Sequence, residues 1–258
     1  MQRYFVAPEQ MKDGWATITG EDAHHAVRVM RMKPDESIIV SDGVSRTARA
    51  IIRETSPEAI RAELAELLPM DSEPAWSVTI AQSLPKGDKM ELVIQKGTEI
   101  GAYAFVPFQS ERMIVQYDSK KEAKRLERWS KIAKEAAEQA HRHHIPEVEQ
   151  VRSWKQLLAL IADFDLALFC YEREGDAAHG RGIGSAISEW RRSHADVNAP
   201  TFVVIVGPEG GFTEKEAAEA KAAGAVIAGL GKRILRTETA GIVALTCLLY
   251  EAGEMGGE

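Results

Sequence analysis

The stretch VVIVGPEGGFTEKEAAEAKAAGAVIAGLGKRILRTETA, residues 203–240, decides how the rest of this chain reads. It opens inside the run Thr201–Val206, apolar after its threonine and mostly β-branched, of the kind found in a strand buried on both faces. A glycine-rich hexapeptide follows, Gly207-Pro208-Glu209-Gly210-Gly211-Phe212. Thr213 with Glu216 three residues on is a capping box, so a helix is predicted over Thr213–Ala223. A second apolar run, Ala225–Leu230, then leads into Gly231-Lys232-Arg233-Ile234-Leu235-Arg236-Thr237-Glu238-Thr239-Ala240. Strand, helix and strand in this order argue for a mostly parallel α/β sheet. In such sheets ligands bind beyond the carboxyl ends of the strands. Glycines let backbone amides approach a ligand and proline stiffens the turn. Gly207 or Gly210 alone would be only a turn, but the whole hexapeptide is conformationally too costly for that. Ile234 and Leu235 are odd in a surface loop and sensible if they enclose an apolar ring. Neither loop is a Walker A motif or a GxGxxG dinucleotide fingerprint.

Outward from this stretch the same grammar holds back to Trp76. Strands are predicted at Trp76–Gln82, Tyr103–Phe108 and Asp165–Tyr171. Helices are predicted at Asp88–Ile100, Lys120–Ala140, Ser153–Ala162, Gly182–Arg192 and Thr239–Ala252. The long helix places Leu126, Trp129, Ile132, Ala133, Ala136 and Ala137 on one face. Residues 69–74, PMDSEP, carry two prolines and two acids and no apolar period, and read as a linker. Before it lie short strands, Arg3–Ala7, Glu36–Ser41 and Arg46–Arg53, with a hairpin-like turn at Ser41-Asp42-Gly43 and a helix over Asp22–Met30. This portion reads as a small β-rich barrel or sandwich.

The chain has 258 residues, 45% of them apolar and 28% charged, which suits two globular domains without a metal staple. A net charge of -7 lacks the global basic signature of a nucleic-acid binder, although a local patch suffices for phosphate contact. Cys170 and Cys247 each sit in apolar runs and read as small buried hydrophobes, favouring a reducing compartment. No apolar signal core opens the chain and no run approaches a membrane span. A cytoplasmic protein is expected.

The loops VGPEGGF and LGKRILRTETA closely resemble the cofactor loops of the SPOUT class of S-adenosylmethionine-dependent RNA methyltransferases. MQRYFV, HHAVRVMRMK, AQSLPKGDKMELVIQKGTEIG, SERMIV and RWSKIAKEAAEQAHRHHIPEV narrow this to the 16S ribosomal RNA uridine-N3 methyltransferase family. The resemblance runs from Met1 to about Tyr250. It departs at Lys33-Pro34-Asp35-Glu36, where members commonly carry Pro-Gly-Asp, which alters one turn. It implies a PUA-like RNA-binding β-barrel over residues 1–70, a linker over 71–75, and over 76–258 a SPOUT methyltransferase domain with a C-terminal trefoil knot. It also implies a homodimer acting on 16S ribosomal RNA or the small ribosomal subunit.

By the matching motifs, S-adenosylmethionine would meet Gly207, Pro208, Glu209, Gly210 and Gly211 in the first loop. In the second it would meet Leu230, Gly231, Ile234, Leu235 and Arg236, with Phe169, Cys170 and Tyr171 as a third wall. Uridine N3 carries an imide proton and is a poor nucleophile until that proton leaves. Arg236 is the candidate catalytic cation, because a guanidinium fork would stabilise charge developing on the uracil oxygens. Glu238 either orients that arginine, accepts the proton, or is an ordinary carboxylate at a helix N-terminus.

RNA contacts are expected from Arg3 beside two aromatic residues and from His24, His25, Arg28 and Arg31. Lys86, Lys89, Arg112 and Arg142 complete the set. For several of these the alternative is a solvated face or a salt bridge. His141, His143 and His144 cannot all face one ion on a helix, and no carboxylate or cysteine has ligand spacing nearby, so no metal is expected. Two rival readings remain: a SPOUT enzyme acting on a transfer RNA ribose, which MQRYFV and HHAVRVM disfavour, and a non-catalytic RNA-binding factor, which intact loops disfavour.

Overall fold

The computed structural model describes residues 1–115, 119–171 and 182–256. It divides into two compact units, one comprising Met1–Glu73 with Lys134–Ile145, the other Pro74–Ala133 with Pro146–Glu258. The division falls inside the proline-flanked linker. The return of residues 134–145 to the first unit has no counterpart in the sequence reading.

The first unit is built on a six-stranded sheet. Its strands are β1 (Arg3–Phe5), β2 (Met11–Lys12), β3 (Trp15–Thr19), β4 (Ser37–Ser41), β5 (Thr47–Thr55) and β6 (Ala59–Leu68), in the order β1-β4-β5-β6-β3-β2. β1 pairs with β4 in parallel and the remaining pairs are antiparallel. Register shifts at Arg49/Ala50 and Ile52/Glu54 let β5 bend, as bulges do. Met11, Ile18, Ile38, Val40, Ile52 and Ile60 fill the core. The predicted Ser41-Asp42-Gly43 turn joins β4 to β5. The Asp42 carboxylate accepts the amides of Val44, Ser45 and Arg46 at 2.8–3.0 Å. Burial alone would raise its pKa, but these donors and the Arg46 guanidinium outweigh it and hold it at about 2.

One element here was not among the strands expected, and another differs from expectation. β6, AIRAELAELL, is rich in helix formers and yet is a strand, because β5 and β3 pair with it on both sides and Ile60 and Ala62 alternate inward. The helix expected over Asp22–Met30 is a short α1 (Gly20–His24) that widens into a π-turn over His25–Val29, with the Met30 amide bonded to the His25 carbonyl at 3.0 Å. Ala23 and Ala26 are buried by this turn, and His24, His25, Arg28 and Arg31 are exposed.

The second unit carries a wholly parallel sheet. Its strands are β7 (Ser77–Ser83), β8 (Ala104–Phe108), β9 (Glu147–Val148), β10 (Leu166–Cys170), β11 (Thr201–Val206) and β12 (Val226–Ala228), in the order β12-β10-β11-β7-β8-β9. The helices are α2 (Lys89–Ile100), α3 (Ser119–Gln139, whose residues from Lys134 onward belong to the first unit), α4 (Trp154–Leu160), α5 (Ile183–Ser193), α6 (Glu214–Ala222) and α7 (Thr237–Glu251). The predicted parallel α/β sheet is therefore present, and Thr201–Val206 has the predicted bounds. Ser153 with Gln156, and Thr213 with Glu216, form capping boxes that start α4 and α6. In α3, Trp129, Ala133, Ala136 and Ala137 are buried, as the apolar stripe predicts.

Candidate active site

The strand register lines up four carboxyl ends. Val206 of β11 sits opposite Gln82 of β7 and Cys170 of β10, and Cys170 sits opposite Ala228 of β12. The loops that follow these strands therefore leave one edge of the sheet side by side. That is where an open α/β sheet binds ligands.

The first loop is held from below by its own aromatic residue. Phe212 is buried, its ring 4.2 Å from that of Phe169 and 6.3 Å from Phe108 in a near-parallel stack. A Cβ on Gly207 would meet the Phe212 ring at 3.1 Å, and one on Gly210 would meet Arg112 Cβ at 3.1 Å. Gly211 closes a turn onto the Pro208 carbonyl at 2.9 Å with φ of +65°, a conformation that suits glycine. The hexapeptide is thus anchored by Phe212, while Glu209 and Gly210 are exposed. Arg112 donates to the Gly210 carbonyl at 3.2 Å, and the Glu111 amide donates to Glu216 at 2.8 Å.

The second loop is tied to the first by two residues that sequence reasoning did not single out. Thr237 Oγ1 donates to the Gly207 carbonyl at 2.5 Å. Gln82 Nε2 donates to Thr237 Oγ1 at 2.9 Å and lies 3.3 Å from the Gly207 carbonyl. Gln82 is fully buried and its Oε1 has no hydrogen-bond partner among the described residues. A lone amide ending an otherwise apolar strand, TIAQ, is the sequence signal that could have marked it. α7 packs closely beneath, where a Cβ on Gly241 would stand 3.3 Å from Ile80 and 3.6 Å from Val206.

A charged cluster spans both loops. Lys89 Nζ lies 2.8 Å from Glu209 Oε1 and 3.4 Å from Glu238 Oε2, and the Lys86 amide donates to the same Glu209 oxygen at 3.1 Å. Burial opposes ionisation of Glu209, but the Lys89 ammonium and the backbone amides of Glu209 and Lys86 together outweigh it, and the carboxyl lies below its ordinary pKa. The hydrogen bond to Glu209 in turn raises Lys89. Glu238 occupies the first turn of α7, whose N-terminal dipole suits an anion. Arg236 is the exposed N-cap of that helix, and its guanidinium makes no hydrogen bond or ion pair among the described residues. Leu230 and Leu235 are half-buried, Gly231 has φ of +94°, and Ile234 is 87% exposed. Cys170 and Tyr171 are half-buried at their strand end, whereas the Phe169 ring lies wholly in the core.

Apart from the half-buried Lys89, the residues expected on RNA separate into two groups. His24, His25, Arg28, Arg31, Lys86 and Arg112 are exposed. Arg3 and Arg142 are buried, both 4% exposed, and their guanidiniums are used inside the first unit. Arg3 donates to the Arg142 carbonyl and lies 3.3 Å from His143 Nδ1. Arg142 pairs with Glu73 at 2.6 Å, and Glu73 also accepts the amides of His143 and His144 at 2.7 and 3.1 Å. Burial alone would raise Glu73, but these donors hold it below its ordinary value. This buried network fastens residues 141–144 to the sheet, so Arg3 and Arg142 serve the fold.

Two glycine-bearing loops, a solvated arginine and two acids bridged by one lysine thus stand at one edge of the parallel sheet. A family model described as an RNA methyltransferase domain matches residues 71–249, and one described as an RNA methyltransferase PUA domain matches residues 18–65. The chain is 39% identical to ribosomal RNA small subunit methyltransferase E of Bacillus subtilis, covering 100% of both, and 33% identical to that of Mycobacterium tuberculosis, covering 89% and 84%. Among solved structures it is similar to ribosomal RNA small subunit methyltransferase E of Neisseria gonorrhoeae bound to S-adenosyl methionine, at 29% identity and a TM-score of 0.80, covering 97% and 98%. A putative methyltransferase of Legionella pneumophila in complex with the same cofactor gives 29% identity and 0.82, covering 97% of each chain. The chain belongs to the ribosomal RNA small subunit methyltransferase E family.

Proposed function

We propose that this protein uses S-adenosylmethionine to methylate N3 of a specific uridine in 16S ribosomal RNA of the small ribosomal subunit. The observation that carries this reading is the single row of strand ends, Gln82, Val206, Cys170 and Ala228, from which both glycine loops rise. The residues present fit the cofactor. Gly211 and Gly231 leave open space where a Cβ would stand, Gly207 and Gly210 let Phe212 and Arg112 close against the back of the loop, and the buried Gln82 Oε1 lacks a donor among the described residues. Pro208 and Glu209 shape the first wall. Leu230, Ile234 and Leu235 offer an apolar second wall, and Cys170 and Tyr171 a third, with Phe169 supporting them from the core.

Bound there, S-adenosylmethionine supplies an electrophilic methyl group. The chain's part is to align uridine N3 and to help its proton leave as the new bond forms. Arg236, solvated and without a partner among the described residues, is placed to stabilise the negative charge that spreads onto the uracil oxygens. Glu238, two residues on, accepts the N3 proton or orients Arg236. His24, His25, Arg28, Arg31, Lys86 and Arg112 remain the candidate RNA contacts, in a PUA-like domain over residues 1–70 and a methyltransferase domain over 76–258.

A SPOUT-type knot is supported by the path of the chain. β12 lies at the sheet edge, yet α7 after it returns to the middle, under Ile80 and Val206. A homodimer is supported by α7 itself, an apolar helix whose outer residues Ile242, Val243, Cys247 and Tyr250 remain at least partly exposed, Tyr250 by 66%. No described helix is long and apolar enough to cross a membrane, and a cytoplasmic location fits the substrate.

The test is mass spectrometry of 16S ribosomal RNA from a strain lacking the gene, with and without its return. Loss and restoration of N3-methyluridine are expected, and an unchanged level sinks the reading. In the purified protein, Arg236→Ala should lower kcat at least about a hundredfold while the fold survives.

A further inference from the structure

Lys89 was expected on an RNA phosphate, and its surroundings say otherwise. Its side chain is 29% exposed and opens α2 between two acids drawn from the two loops. Glu209 comes from the loop after β11, and Glu238 from the first turn of α7. Glu238 is the more enclosed, its side chain 13% exposed, and its Oε2 accepts no hydrogen bond among the described residues. The 3.4 Å approach of Lys89 is therefore an ion pair without hydrogen-bond alignment. One ammonium faces two carboxylates, and the cluster keeps a net negative charge. A buried carboxylate left without a partner is costly, so the position of Glu238 depends on that ammonium. A phosphate would have to enter as a third anion and draw Lys89 away from both acids.

We propose that Lys89 is a positioning residue, an ionic clasp that holds Glu209 and Glu238, and with them both ligand loops, in one geometry. The inference rests on the reading of those loops as the S-adenosylmethionine site. It separates Lys89 from its exposed neighbour Lys86, whose backbone amide serves Glu209 and whose ammonium remains available to RNA.

The full-length protein decides this by two titrations. Calorimetry measures S-adenosylmethionine affinity, and filter binding measures 16S ribosomal RNA affinity across a salt series. Lys89→Gln should weaken S-adenosylmethionine by about tenfold. Lys89→Arg, which keeps the cation, should recover most of that loss. RNA affinity and its salt slope should stay at the wild-type values. In a Glu209→Gln/Glu238→Gln background, adding Lys89→Gln should change S-adenosylmethionine affinity by less than about twofold. If instead the salt slope falls by about 0.7–0.9 with cofactor binding intact, Lys89 is a phosphate contact and the proposal is overturned. A tenfold loss that persists in the doubly substituted background overturns it as well. Wild-type protein that binds no S-adenosylmethionine would overturn the reading of the loops and the clasp together. Wild-type binding with an unaffected Lys89→Gln overturns the clasp alone.

Discussion

At Thr237 one hydroxyl joins three parts of the chain. It donates to the Gly207 carbonyl and accepts from Gln82, so β7, the loop after β11 and the start of α7 meet at a single oxygen. Thr237→Val keeps the shape and removes both bonds, leaving Gln82 Nε2 with the Ser83 and Gly207 carbonyls alone and the Gly207 carbonyl without its hydroxyl donor. Urea unfolding should show a loss of about 1–3 kcal/mol. S-adenosylmethionine binding should weaken in parallel, and a variant as stable as the wild type would remove the hydroxyl from this role. Residues of this kind were the least legible in the sequence. Glycine loops announce themselves because few sequences tolerate them. A glutamine at a strand end, or a threonine among the charges of RILRTETA, announces nothing until the strands align. Arg3 and Arg142 show the converse. A cation beside aromatic residues or histidines reads as a surface contact, and only the fold reveals that Glu73 and backbone carbonyls have enclosed both.

Among the elements, α2 depends on how closely it lies on the sheet. Gly97 is the point of approach, where a Cβ would stand 2.8 Å from the Phe105 ring and 3.2 Å from Ile80, both fully buried. Alanine would favour the helix by about 1 kcal/mol, but the overpacking costs more. Gly97→Ala should therefore destabilise the protein by a net of about 1–2 kcal/mol, read from the urea midpoint. A gain in stability would mean that Phe105 moves aside freely. Strands and helices of the second unit were legible because burial on both faces leaves unbroken apolar runs, as in TFVVIV, and capping boxes mark helix starts. β6 was not. Glu63, Leu64, Ala65 and Glu66 favour a helix locally, and pairing with β3 and β5 overrules them. The π-turn after α1 was equally hidden, since its apolar spacing imitates an ordinary helix.

Stability of the whole molecule carries a pH dependence that originates in the first unit. Glu138 is largely buried, and its loss of water raises its pKa from 4.5 to about 7; Asp22 and Glu135 add to this, while Lys134 and the Phe5 amide oppose it. The folded state therefore holds a proton that the unfolded state releases. The stability contributed by this site is fully present below about pH 4.5 and is lost as pH rises through about 7. Glu138→Gln keeps an acceptor for Phe5 and removes the titration. Thermal midpoints of the two proteins should converge at low pH and separate toward pH 8. There the variant should be the more stable by on the order of 2 kcal/mol. Parallel curves across this range would exclude Glu138 as the titrating group.

The first unit is assembled from two separated pieces of chain, Met1–Glu73 and Lys134–Ile145. During synthesis its sheet emerges first and must wait for roughly 70 further residues before Arg142 can reach Glu73. At about 5–20 residues per second this is a delay of several seconds. Throughout it Arg3 has no carbonyl to bind, and Glu73 is without its arginine. A sheet that pairs as it emerges is unsealed until residues 134–145 follow, and substitutions there should show first as poor yield from the translating ribosome.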